Sequence, residues 1–185
     1  DRNEHASFLK GGGQPPALDS SLALKRWDPW VSINLGVTEL TRLIDYQAIA
    51  PDTFAVLNRS GPQNLVKMTR PGITYFEKQL PFVQSWAELR DERALEILAQ
   101  IDNQFAFIAS VTGLNVSRKR WTMEWLTIVI QFAIAVESRV KHAFACYRPV
   151  DLSPQVQPII TTPGHSSYPM GHAAQAFATM VALCG

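Results

Sequence analysis

Two basic residues in one long helical pattern are the first candidates for chemistry in this sequence. Lys141 and Arg148 lie seven residues apart, and at about 100° per residue this spacing places them on one face of a helix. The residues at 143–146 are small or apolar, so this face is not typical of a solvated surface. Two cations in such surroundings are costly unless they meet an anion. The pair therefore predicts either an anion site or structural ion pairs with Asp151 or Glu137.

The segment from His165 to Ala173, HSSYPMGHA, is the second candidate, because a loop leads there directly into a helix. Free backbone N–H groups and the positive end of the dipole favour an anion at a helix start, and Gly171 lets an oxyanion approach the backbone closely. His172, in the first turn, is able to hold a proton beside that anion at neutral pH. The alternative for His172 is a hydrogen bond to the connector, and the alternative for His165 is a place on a surface loop.

Helices are the elements that the hydrophobic pattern predicts ahead of these motifs. The first spans 37–50 and is ended by Pro51, and 51–80 is predicted as loops with short helical turns. A helix over 81–112 follows, either continuous or divided near 102–103.

The two motifs themselves belong to the last two predicted helices. The longer and more central helix is capped by Asn115 or Ser117 and is stopped by Arg148 and Pro149. Prolines make 149–169 a connector, and the last helix begins near Met170 or Gly171.

Strand alternation of useful length is not found in the sequence, so the predicted fold class is all-α, a packed helical bundle. Residues 1–36 are rich in glycine and proline and predict an irregular N-terminal arm that packs onto the body through Trp27 and Trp30. Residues 37–185 form the predicted bundle domain.

Composition excludes several classes of protein. The chain has 185 residues, of which 46% are hydrophobic, and this suits one domain with one substantial core. A net charge of +1 gives no global field for nucleic acid or anionic lipid. Cys146 and Cys184 are too few for a disulfide scaffold, and no zinc-binding spacing is present, so no metal-cation cofactor is predicted.

The longest apolar run, 125–136, is shorter than the roughly twenty residues of a membrane span, so it predicts a buried helix. The first thirty residues lack the pattern of a secretory signal. A secretory signal removed before residue 1 would be consistent with a periplasmic or secreted location, which we favour over the cytoplasm.

The two motifs resemble those of a known superfamily, the type-2 phosphatidic acid phosphatases and vanadium-dependent haloperoxidases. Its pattern is K-x-x-x-x-x-x-R-P, then P-S-G-H, then S-R-x-x-x-x-x-H-x-x-x-D. Lys141, Arg148 and Pro149 match the first motif, and the sequence Pro169-Met170-Gly171-His172 matches the second except at one position. The resemblance covers most of 80–185 and is to the bacterial haloperoxidase-like branch.

The resemblance implies an α-helical bundle that holds vanadate or phosphate. Lys141 and Arg148 would bind the oxyanion's oxygens, and Gly171 would add a backbone N–H. His172 would be the acid or base, and His165 stands where some haloperoxidases have a second active-site histidine. The implied function is oxidation of halide by hydrogen peroxide at bound vanadate. The alternatives are a phosphomonoesterase acting on a phosphate ester and a non-catalytic member of the superfamily.

Two departures from the superfamily pattern change what is expected of this chain. Met170 replaces the serine of the second motif, which removes a hydroxyl donor from the predicted cofactor site. The third motif, which supplies an arginine and a histidine, is absent from the sequence. We therefore expect a bundle that is incomplete at its C-terminal end and a continuation or second chain that carries this motif; a homo-oligomer is a further expectation.

Overall fold

The computed structural model describes residues 27–61, 63–102 and 105–184. In chain order the elements are α1 (Pro29–Thr41), β1 (Ile44–Ala50), β2 (Thr53–Asn58), β3 (Asn64–Thr69), α2 (Ile73–Ala87), α3 (Arg90–Asp102), α4 (Phe105–Thr112), α5 (Arg120–Phe144), α6 (Pro149–Leu152) and α7 (Gly171–Cys184).

The three strands form one antiparallel sheet in the order β1-β2-β3, so the prediction of an all-α fold is wrong. Tyr46 pairs with Val56 across the first two strands, and Phe54 pairs with Met68 across the next two. The chain combines helices with a small antiparallel sheet, and its class is mixed α and β.

The sheet was missed because short strands were mistaken for other elements. The predicted helix over 37–50 gives way to β1 at Ile44, although Ile44 and Tyr46 also fit the apolar helical face that starts at Val37. The predicted loops over 51–80 contain β2 and β3, because their prolines and glycines mark the hairpin turns and the approach to α2. A strand of six or seven residues gives a weak local signal, and the strands are stabilised by pairing with each other.

Helix α5 is the centre of the structure, as its length and apolar composition predicted. The sheet packs on its C-terminal half, where Ile44 and Val56 form a buried cluster with Val140, Phe144 and Cys146. No described helix has both the length and the hydropathy that crossing a bilayer requires.

The ring of Phe144 connects this core to the segment ahead of α7. Its centroid lies 6.3 Å from that of Phe54 in an edge-on contact and 5.8 Å from that of Tyr168 in a stacked one. Both distances fall in the range of favourable aromatic pairs. The sheet and the loop of the second motif are therefore attached to the same end of α5.

Helix α1 packs against the other half of α5 and corrects the prediction of an irregular arm. Residues 29–36 are helical, and a Cβ at Gly36 would lie 2.7 Å from a side-chain carbon of Ile128. Trp30 is 66% exposed and does not attach this segment to the body. Residues 1–26 of the predicted arm lie outside the described residues.

The helix predicted over 81–112 begins earlier and is divided further. Helix α2 starts at Ile73 and contains Pro81, and separate helices α3 and α4 follow it. Helix α5 has Lys119 at its N-cap position without a side-chain cap, whereas the side chain of Asn115 accepts a hydrogen bond from the N–H of Ser117.

Candidate functional site

Lys141 lies in the last turn of α5 with only 4% of its surface exposed. Its Nζ donates a hydrogen bond of 3.3 Å to the carbonyl of Ser166. Burial lowers the pKa of Lys141, the Glu137 carboxylate opposes this shift, and the positive charge of Arg148 adds to it. The lysine is therefore a buried cation close to a second cation, which is an environment that favours a bound anion.

Arg148 reaches the same region by a route that differs from the predicted one. Helix α5 ends at Phe144 because Ala145 adopts a left-handed conformation with φ of 47°, and its N–H bonds the carbonyl of Lys141. Arg148 therefore does not share a helix with Lys141. It precedes the short helix α6, and its backbone N–H donates to Asp151 at 2.8 Å.

The guanidinium of Arg148 is held by His165. Its Nε donates to the backbone carbonyl of His165 at 2.7 Å, and its Nη2 lies 2.8 Å from the ring atom Nδ1. The same Nδ1 lies 3.1 Å from the carbonyl of Ser166, so it accepts from the guanidinium in one tautomer and donates to that carbonyl in the other. The contact links the two predicted site residues directly and orients the arginine.

Lys141, Arg148 and His165 line one pocket of about 490 Å³ between the end of α5 and the connector. Ser166 also lines this pocket and holds two parts of the chain together. Its hydroxyl accepts a hydrogen bond from the N–H of Cys146 at 2.8 Å and donates one to the carbonyl of Tyr168 at 3.1 Å. No structural role was predicted for Ser166, although it adjoins His165 in the sequence.

The start of α7 is faced by a carboxylate of the protein itself. Glu137 is 8% exposed, and a Cβ added at Gly171 would collide with both of its carboxylate oxygens. Gln175, one turn further along α7, donates to Oε1 at 3.0 Å. The other oxygen, Oε2, is buried and has no hydrogen-bond partner among the described residues. Glu137 thus occupies the approach to Gly171 that was predicted for an external oxyanion.

The pKa of Glu137 is raised by burial, and the shift is opposed by Lys141, by the hydrogen bond from Gln175, and by His165 and His172. The positive groups predicted for the site therefore lie within electrostatic range of this carboxylate. Within the described part of the chain, neither Lys141 nor Arg148 forms an ion pair with a carboxylate. The alternative of direct ion pairs with Glu137 or Asp151 is not the observed arrangement.

The remaining predicted residues lie outside the pocket of Lys141 and Arg148. His172 is exposed in the first turn of α7 and, like Gly171, does not contribute to the described lining of that pocket. Met170 is 66% exposed and lines a separate pocket of about 130 Å³ that includes Tyr168. The structure brings Lys141, Arg148 and His165 to one pocket, whereas Gly171 of the second motif lies against Glu137.

Glu137 and Gln175 form the part of the site that sequence analysis described incompletely or missed. Glu137 was considered only as an ion-pair partner, and Gln175 was not considered. Each lies four residues from a motif residue on the same helix, Lys141 and Gly171 respectively. That spacing puts each pair on one helix face and was the available signal.

Comparison with known proteins adds no relative to this description. The chain matches no model of a protein family, no curated protein and no solved structure.

Proposed function

We propose that the pocket of Lys141, Arg148 and His165 binds vanadate as part of a haloperoxidase-like enzyme. The observation that carries the proposal is that the buried Lys141 ammonium and the Arg148 guanidinium line the same pocket. Among the described residues, neither group forms an ion pair with a carboxylate. An oxyanion between these groups offsets the cost of burying their charge. Their fixed donors suit an anion's oxygens.

The donors at the pocket fit an oxyanion, because ammonium and guanidinium groups offer hydrogens and no lone pairs. Lys141 and Arg148 would hold the oxygens, and the His165 contact would fix the plane of the arginine. The nearby Glu137 opposes an anion when it is ionised, and burial raises its pKa, so its carboxylate forms at a higher pH than that of an ordinary glutamate.

In the proposed reaction, halide, hydrogen peroxide and a proton give hypohalous acid and water, and bound vanadate would supply the activation of the peroxide. The residues of this chain bind and orient the ion. By the resemblance His172 would hold the proton; its ring is exposed in the first turn of α7, outside the described lining of the pocket. The third motif of the resembled superfamily would complete the site from a continuation of the chain or a second chain.

Phosphomonoester hydrolysis is the second candidate function. Phosphate presents nearly the same oxygens as vanadate to Lys141 and Arg148. The specific observation in its favour is an apolar groove next to Arg148, which would hold the alcohol part of an ester. Bromide oxidation with added vanadate, measured beside phosphate-ester hydrolysis, separates these two activities.

Titration calorimetry of vanadate and inorganic phosphate against the chain tests the proposed site. We expect Arg148→Lys to weaken binding by about tenfold, because lysine keeps the charge but loses the planar donor fork. Arg42→Lys is the matched control, since Arg42 forms an exposed ion pair with Glu39 on α1. Equal affinity in wild type and Arg148→Lys would contradict the proposal. Binding without either activity would support the non-catalytic alternative.

A further inference from the structure

A second concave site lies directly beside the proposed oxyanion pocket. It has a volume of about 480 Å³, and Arg148, Thr162 and Pro163 line both sites. Arg148 therefore lies at the boundary between the two sites, where its guanidinium can contact a ligand in either of them.

The walls of this groove are mainly apolar. Val83 and Ala87 contribute from α2, and the connector contributes the side chains of Val156, Pro158 and Ile160. Val83 and Ala87 lie one turn apart and so share a helix face. A volume of this size falls within the range of about 300–1,000 Å³ that is typical of small-molecule sites.

Hydrogen bonds hold the two walls of the groove together. Gln84 of α2 donates to the side chain of Gln155 at 2.7 Å, and Arg90 at the start of α3 donates to the backbone carbonyl of Gln157. Both bonds join the helices to the connector. The groove is thus a built concavity with a polar rim and not a loose gap between two segments.

We propose that this groove binds the apolar part of a small molecule, of the size of one or two aromatic rings, whose oxygen substituent lies against Arg148. The apolar walls favour burial of a ring, and the cation at one end favours an attached oxyanion. The inference rests on the proposed oxyanion site and names its substrate class. Two compounds offer such an oxygen: an aryl phosphate ester through its anionic phosphate, or a phenol that accepts the oxidised halogen, through a neutral hydroxyl that can accept a hydrogen bond from Arg148.

Calorimetry of the chain with inorganic phosphate, 1-naphthyl phosphate and 2-naphthol tests this inference. We expect 1-naphthyl phosphate to bind at least about tenfold more tightly than inorganic phosphate, because its rings leave water for the groove. Tighter binding of the ester than of 2-naphthol would identify an ester site. Tighter binding of 2-naphthol when vanadate is present would identify a phenol site.

A pair of phenylalanine substitutions, one inside the groove and one outside it, tests whether the groove binds the rings. Ala87→Phe places a ring in the groove and should reduce the ratio of naphthyl phosphate affinity to phosphate affinity by about tenfold. Ser85→Phe adds the same ring at an exposed position of α2 outside the described groove lining and should keep the wild-type ratio. If Ala87→Phe does not fold by circular dichroism, Ile160→Ser tests the opposite wall without added bulk.

The outcomes separate this inference from the function on which it rests. If neither phosphate nor vanadate binds but the naphthyl compounds do, and Ala87→Phe weakens them, the groove is supported and the oxyanion site is wrong. If phosphate binds and 1-naphthyl phosphate binds no more tightly, the groove inference is overturned. Equal ratios in Ala87→Phe and Ser85→Phe would overturn it as well.

Discussion

At the scale of single residues, the protonation state of Glu137 affects the net charge that the site presents to an anion. It lies in electrostatic range of Lys141, His165 and His172, and burial is the main cause of its raised pKa. Because the neutral carboxyl is favoured in the folded chain, the carboxylate forms at a higher pH than in an ordinary glutamate. The negative charge that opposes anion binding therefore appears at a higher pH than it would for an ordinary glutamate.

Replacing Glu137 by glutamine should raise the affinity for vanadate and phosphate, by about tenfold where the wild-type carboxylate is ionised. The ratio of variant to wild-type affinity should be near one at low pH, where Glu137 is protonated, and should grow as pH rises through its raised pKa. Calorimetric titrations over a series of pH values measure this ratio.

The control for this prediction is Glu77→Gln, an exposed glutamate on α2. For this variant, the ratio of variant to wild-type affinity should stay near one at every pH. A ratio for Glu137→Gln that does not change with pH would show that the carboxylate does not act on the bound anion.

At the scale of elements, the site depends on where α5 ends and where α7 begins. The left-handed Ala145 stops α5 one turn beyond Lys141, and this lets the chain fold back so that Arg148 and His165 meet at the pocket. Helix α7 starts at Gly171, which is pressed against the Glu137 carboxylate of α5. A Cβ at this close contact would force the buried Glu137 carboxylate to shift.

Gly171→Ala should destabilise the chain by about 1–3 kcal/mol, because its Cβ would collide with the carboxylate oxygens of Glu137. In a Glu137→Ala background the same change should cost about 1 kcal/mol less, since the colliding atoms are gone. Urea unfolding of the two single variants and the double variant measures this difference.

Gly72→Ala is the matched control for this prediction, because a Cβ at Gly72 would meet no atom within 4 Å. If Gly171→Ala were as harmless as Gly72→Ala, the packing of α7 on α5 described above would be wrong.

At the scale of the whole molecule, the described surface carries many exposed apolar side chains. Phe177 and Val181 lie one turn apart on α7 and are each 65% exposed, and Trp86 on α2 is 67% exposed. Exposed apolar side chains grouped on a helix face are typical of surfaces that contact another chain or segment. This face of α7 is where the expected homo-oligomer contact would form.

We expect the chain to associate with itself as its concentration rises, because association covers this face of α7. Phe177→Glu combined with Val181→Glu should shift the sedimentation profile toward the monomer. Ser110→Glu combined with Ser117→Glu adds the same charge at exposed positions elsewhere and should leave association as in wild type. A wild-type chain that is monomeric over the whole concentration range would exclude the homo-oligomer.

Local patterns in the sequence determined several elements that the structure contains. The apolar period and the length of α5 identified it as the central helix, and prolines and Gly171 marked the connector and the start of α7. These features depend on neighbours in the chain, so they can be inferred without knowing what packs against them.

The tertiary structure decided the sheet, the path from Lys141 to Arg148 and the place of Glu137. Strand β1 carries residues that also suit a helix, and its pairing with β2 decides between the two. Ala145 is left-handed although its residue type favours helix, so the shared pocket arises from a reversal of the chain instead of one helix face. Glu137 meets Gly171 because α7 packs on α5, and this contact joins residues far apart in sequence. Such contacts depend on the free energy of the whole packed chain, which local spacing does not contain.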